Sequence, residues 1–117
     1  MASWIGDFFS GFLGSSDDTE IERLTKIADE RGDVNAQYEL GRRYAMGDGV
    51  AENDAEAVKW YEKAAVQGHV EAQFYLGTCY AYGNGVQKNI SKAAKWLTMA
   101  AEEHHQGARK ALQRLRN

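Results

Sequence analysis

Apolar positions along this chain fall in helical periods, and the periods repeat. After Gly32, the residues Ala36, Leu40, Gly41 and Tyr44 stand at i, i+4, i+5 and i+8, the spacing of one buried helix face. They predict a helix that starts from Asp33 as N-cap and runs to about Met46. Gly47-Asp48-Gly49 breaks that helix, because glycine enters backbone conformations that a side chain penalises, and Val50 is expected to turn inward and anchor the loop. Asn53 then caps a second helix, with Ala57, Trp60, Tyr61 and Ala64 on its inner face, until Gly68 ends it. Ala72, Leu76, Gly77 and Tyr80 restate the first helix, Gly83-Asn84-Gly85-Val86 the loop, and Asn89, Ala93, Trp96 and Ala100 the second helix. Each lies 36 residues after its counterpart. Matches this numerous at one offset are the signature of a stacked repeat.

The flanks follow the same frame in part. Ile21, Leu24, Ile27 and Ala28 keep a helical apolar period behind Asp17 and Asp18, which are candidate N-caps, so residues 17 to 32 read as the second helix of a partial unit. Full units occupy 33 to 68 and 69 to 104. His104 stands where Gly32 and Gly68 stood, which predicts a less sharply turned third boundary. Ala108 and Leu112 carry the frame into a capping helix over 105 to 117, whose outer face is solubilised by Arg109, Lys110, Arg114 and Arg116.

Residues 1 to 14 lie ahead of the repeat domain, 15 to 117. Trp4, Ile5, Phe8, Phe9, Phe12 and Leu13 share one helical face, opposite Gly6, Asp7, Ser10 and Gly11. No Lys or Arg precedes Arg23, unlike a secretory signal or a mitochondrial presequence, and unlike the basic polar face usual in interfacial membrane helices. Each glycine costs a helix about 1 kcal/mol relative to Ala, so this aromatic face needs a surface to dock on. Three roles stay open: a cap folded over the first helix of the array, an anchor in another protein's groove, and contact with a membrane surface.

Composition narrows the function. The 117 residues fit one domain, and 44% hydrophobic with 26% charged residues describes a globular chain. A net charge of −3 argues against general nucleic-acid binding. Residues 1 to 60 hold 13 acidic and 6 basic side chains, a balance of −7, while 61 to 117 hold 4 and 8, a balance of +4. Cys79 is the only cysteine, so no internal disulfide forms, which fits a reducing compartment; inside a helix it reads as a small apolar packing residue. His104 and His105 point about 100° apart around a helix, a poor arrangement for two ligands of one metal. Arg31-Gly32-Asp33 and Asn89-Ile90-Ser91 match an adhesion tripeptide and a glycosylation acceptor, but turn and cap roles already account for them. No nucleophile, base and orienting group assemble, so no enzymatic activity, metal or cofactor is expected.

The pattern Ala-x3-Leu-Gly-x2-Tyr-x2-Gly-x-Gly-Val, with a capping Asn, Ala, Trp and Ala-Ala after it, resembles the Sel1-like repeat, a relative of the tetratricopeptide repeat. That repeat has a shorter inter-helix turn and commonly a proline; this chain has no proline at all. The resemblance implies an all-α, right-handed superhelical solenoid of antiparallel helix pairs, here two full units with flanking half-repeat helices, whose first helices line the concave side. It also implies an adaptor that binds a protein or peptide, as such proteins, many of them bacterial, mostly do. The lone cysteine and the lack of a secretion signal point to the cytoplasm, with the inner face of the membrane, reached through residues 1 to 14, as a peripheral alternative. Some secreted members pair cysteines within each repeat, and this chain lacks them. In this frame the partner-binding positions are Tyr38, Arg42, Met46, Phe74, Thr78, Tyr82, Lys110 and Arg114. Trp4, Ile5, Phe8, Phe9, Phe12 and Leu13 form the N-terminal anchor. An immunity or inhibitor protein that occludes a cognate toxin or enzyme is the alternative function.

Overall fold

The computed structural model describes residues 15–117, with side chains from residue 20 onward. The anchor residues Trp4, Ile5, Phe8, Phe9, Phe12 and Leu13 lie outside the described residues. Six helices follow one another: α1 Ser15–Glu30, α2 Val34–Met46, α3 Asp54–Val66, α4 Val70–Tyr82, α5 Ile90–Glu102 and α6 Gln106–Arg116. Each packs chiefly on its neighbours in sequence, with a further contact between α4 and α6. The result is an all-α array of antiparallel helix pairs, with no strand among the described residues.

Local chemistry sets the boundaries. Asp33, Asn53 and Asn89 are N-caps whose side chains accept from Ala36 N, Glu56 N and Lys92 N, satisfying amides that the first helical turn leaves unpaired. Gly47 and Gly83 end α2 and α4 at φ +69° and +72°, the left-handed region that glycine enters without steric cost. The loops then close identically: Asn53 N donates to Tyr44 O and Asn89 N to Tyr80 O, both at 2.9 Å.

Three expectations need correction. His104 adopts φ +68°, close to the +62° of Gly32, so the third boundary turns as sharply as the first despite a cost of about 1–2 kcal/mol for a side chain in that region. The turn is held by His104 N to Ala101 O at 2.9 Å and His105 N to Ala100 O at 3.1 Å. Helix α1 begins at Ser15, so Asp17 and Asp18 fall in its first turn instead of capping it. Finally, Leu97 is the fully buried residue of α5, whereas Trp96 is only half-buried.

The last correction has a packing cause. A Cβ added at Gly77 would stand 2.7 Å from Leu97 Cγ, and one at Gly41 would stand 2.6 Å from the ring of Tyr61. The missing side chain in the first helix of each unit is filled from the second helix, at positions 61 and 97. Three clusters carry the core. Ile21, Ala28, Ala36, Leu40 and Trp60 join α1 to α2 and α3. Ala57, Tyr61, Ala64, Ala72, Leu76 and Ala93, with neighbours, join α3 to α4 and α5. Leu97, Ala100, Ala108 and Leu112 join α5 to α6.

Candidate functional site

Three grooves run along the first helices, the second and third of them lying between successive first helices and floored by the second helix behind. The first groove lies over α1 and is lined by Leu24 and Ile27 with Ala36, Tyr38 and Arg42 of α2. The second, about 260 Å³, lies between α2 and α4 over α3, with Arg42, Met46, Tyr61, Tyr75, Thr78 and Cys79 among its walls. The third, about 360 Å³, lies between α4 and α6 over α5, where Phe74, Thr78, Tyr82, Leu97, Lys110 and Arg114 converge. All eight candidate partner-binding residues therefore line this succession of grooves, five of them in the third.

Their states differ. Met46 and Tyr82 are each 68% exposed, large side chains left in water at equivalent positions. Arg42 is held by Glu39 at 2.9 Å, and Thr78 Oγ1 donates to Phe74 O at 2.9 Å, so both have polar groups already engaged. Lys110 and Arg114 make no ion pair among the described residues. The rings of Tyr38 and Phe74 are also shared with the scaffold. Tyr38 stacks on His69 with ring centres 4.4 Å apart, and Phe74 stacks on His105 at 4.5 Å. A Cβ on Gly107 would come within 3.2 Å of the Phe74 ring, so the bare backbone there makes room for that ring in the lining of the third groove.

Two histidines that the sequence left without a role are N-caps. His69 Nδ1 accepts from Ala72 N at 3.1 Å, and His105 Nδ1 accepts from Ala108 N at 3.0 Å. The remaining nitrogen of His105, Nε2, lies 2.8 Å from Glu71 Oε1, which fixes the tautomer with its proton on Nε2. The signal was present in the offset, since His69 and His105 follow Asp33 by 36 and 72 residues. Tyr75 was missed as well. It is 38% exposed and stacks on Tyr61 with centres 5.6 Å apart, adding an aromatic wall to the second groove.

Burial, with Asp54 adding to it, pushes the Cys79 thiol up to about 11, so it stays protonated at neutral pH and is a poor nucleophile. Burial also raises the Tyr61 and Tyr38 hydroxyls. Among the described residues no three His, Cys, Asp or Glu side chains stand together as a metal site, and no helix is long and apolar enough to cross a membrane.

Helix pairs in tandem, glycine-tightened seams and a run of grooves between the first helices define a helical-repeat scaffold. Residues 34–69 and 70–105 match the Sel1 repeat model. The chain belongs to the Sel1 repeat family, whose repeats are non-catalytic scaffolds that generally mediate protein–protein interaction. Among solved structures it is similar to a Sel1 repeat protein from Oxalobacter formigenes, with 38% identity and a TM-score of 0.76, covering 79% of this chain and 26% of that one. The protective antigen c5321 of uropathogenic Escherichia coli gives 40% identity and a TM-score of 0.72 over 75% of this chain and 19% of its own. Helicobacter pylori cysteine rich protein B gives 27% and 0.73 over 81% and 71%. An exopolysaccharide production negative regulator of Rhizobium meliloti (strain 1021) is 40% identical over 57 residues, 49% of this chain and 21% of the regulator. The chain thus spans about a fifth of that regulator's length.

Proposed function

We propose that this chain is an adaptor that holds an extended or helical peptide of a partner protein in the grooves between its first helices, chiefly the third. The observation that carries the reading is the pairing, in one groove, of an apolar lining with cations that make no ion pair among the described residues. Phe74 and Ala111 line its sides over the buried Leu97, and Lys110 and Arg114 stand beside them. Such a site favours a peptide with an apolar anchor next to Asp or Glu, the anchor contributing buried area and the charge fixing register. The similarity to a negative regulator supports action through binding, and the organisms of the similar proteins support a bacterial source. Residues 15–117 act as one domain in this reading, with 17–32 and 105–117 as partial units around 33–68 and 69–104.

Phage-displayed peptides selected on the full chain test it. Enriched sequences are expected to place an acidic residue beside an aromatic or aliphatic one. The Lys110→Glu, Arg114→Glu double variant should weaken them on the order of tenfold or more, with Tm little changed because both side chains are exposed. Selection that ignores charge, or peptides that bind the double variant equally well, would overturn the reading.

A further inference from the structure

The first groove is open where the others are walled. In the full units, the second helix is covered by the first helix of its own unit: Leu40 and Trp60 share one cluster, Leu76 and Trp96 another. Leu24, which matches Trp60 and Trp96 in the frame, is half-buried and lines the open groove with Ile27. The surface of α1 that should meet a partner helix has none among the described residues. Fourteen residues of chain precede α1.

We propose that residues 4–11 are the missing first helix of the leading unit, seated on α1 in the register set by the 36-residue offset. In that register Trp4, Ile5, Phe8 and Phe9 take the places of Leu40, Gly41, Tyr44 and Ala45, all of which are buried or half-buried. Gly6 and Ser10 take the places of Arg42 and Met46, which are exposed. Gly11 falls on Gly47 and Gly83, the left-handed C-caps. Asp17 comes six positions after Gly11, the same offset as from Gly47 to Asn53 and from Gly83 to Asn89.

Two reciprocal exchanges of size set this register apart from a general apolar match. Both full units place Leu in the first helix and Trp in the second, at 40 with 60 and at 76 with 96. The leading unit places Trp4 in the first and Leu24 in the second. Gly41 and Gly77 are filled by Tyr61 and Leu97, whereas Ile5 faces the smaller Thr25. In each exchange the volume lost on one helix is restored on the other, which is how close-packed cores tolerate substitution. Seating requires one local change. Helix α1 starts at Ser15, whereas α3 and α5 start one residue after their Asn caps. Residues 15–17 must therefore unwind into the loop and leave Asp17 as N-cap. The segment then closes the first groove, and partner binding is left to the second and third.

Hydrogen exchange on the unaltered full chain is the first measurement. Amides in residues 6–11 are expected to exchange about tenfold or more slowly than in a free peptide of residues 1–14. A double-mutant cycle then tests the register. Trp4→Leu and Leu24→Trp should each lower Tm, and the combined variant, which restores the order of the other units, should recover most of the loss. Both measurements are made at two protein concentrations with the mass in solution monitored. Exchange at the free-peptide rate overturns the proposal. So do additive effects in the cycle, a Trp4→Leu variant with unchanged Tm, or protection found only in a dimer, which assigns the groove to the segment of a second copy.

Discussion

At the scale of single residues, the two copies differ most tellingly in one buried amide. Gln37 and Gln73 are the buried polar residues of the core, and each sends Nε2 to a carbonyl of the preceding helix, Ala28 O at 3.3 Å and Ala65 O at 3.2 Å. Gln37 Oε1 also accepts from Gln67 Nε2 at 2.8 Å, and Gln67 reaches Gly32 O at 3.2 Å. Thirty-six residues on, Glu103 replaces Gln67. A carboxylate offers only acceptors, so Gln73 Oε1 is buried without a partner. Glu103→Gln is expected to supply the missing donor and stabilise the chain by about 1 kcal/mol, a rise in Tm of about 4 °C or more for a domain of this size. A thermal melt checks it. An unchanged Tm would mean that position 103 does not reach the amide as position 67 does.

At the scale of elements, the helix starts share a position but not a titration. Asp33 caps α2 with a carboxylate, whereas His69 caps α4 with Nδ1, which accepts only while that nitrogen carries no proton. Burial lowers the His69 pKa below its usual 6.5, with Glu71 opposing. The groups facing the ring are the Tyr38 ring stacked on it and the Glu71 carboxylate. Because the folded value lies below the unfolded one, the cap's contribution is complete above about 6.5 and is lost as pH falls through the folded value. Tm should therefore fall as the pH is lowered from about 6.5 through the folded value, and His69→Asp should reduce that fall by restoring the cap of the preceding unit. An equal fall in both proteins would place the acid sensitivity elsewhere. The six helices were legible in the sequence because apolar period, glycine stops and Asn caps coincide at one offset. The histidine caps were not, since an imidazole at a helix start invites a metal or catalytic reading before a structural one. Nor was the burial of Leu97 over Trp96, which follows from the empty space at Gly77 across the seam. The eight candidate binding residues could be placed on the first helices from the frame alone. The shape of the grooves could not, because Tyr75, Gly107 and Ala111 enter them from helices that are not adjacent in sequence.

At the scale of the whole molecule, the contacts run almost entirely between consecutive helices, so stability is a sum of local units and nearest-neighbour seams. At the end seam, α6 is held by Ala108 and Leu112 against Leu97 and Ala100, with Phe74, Ala111 and Leu115 around them. That seam is also one wall of the third groove, which ties binding at Lys110 and Arg114 to the integrity of the final helix. Leu112 is 8% exposed, so Leu112→Ala is expected to cost about 2–5 kcal/mol. In a closed globule such a loss would be shared by the whole structure. In a linear array it should stay local. Hydrogen exchange of the variant should show protection falling sharply in α6 and in the face of α5 that it covers, while α2 and α3 exchange nearly as in the parent chain. Uniform loss across all the described helices would show instead that the array unfolds as one cooperative block. The third groove would then be no more labile than the core behind it.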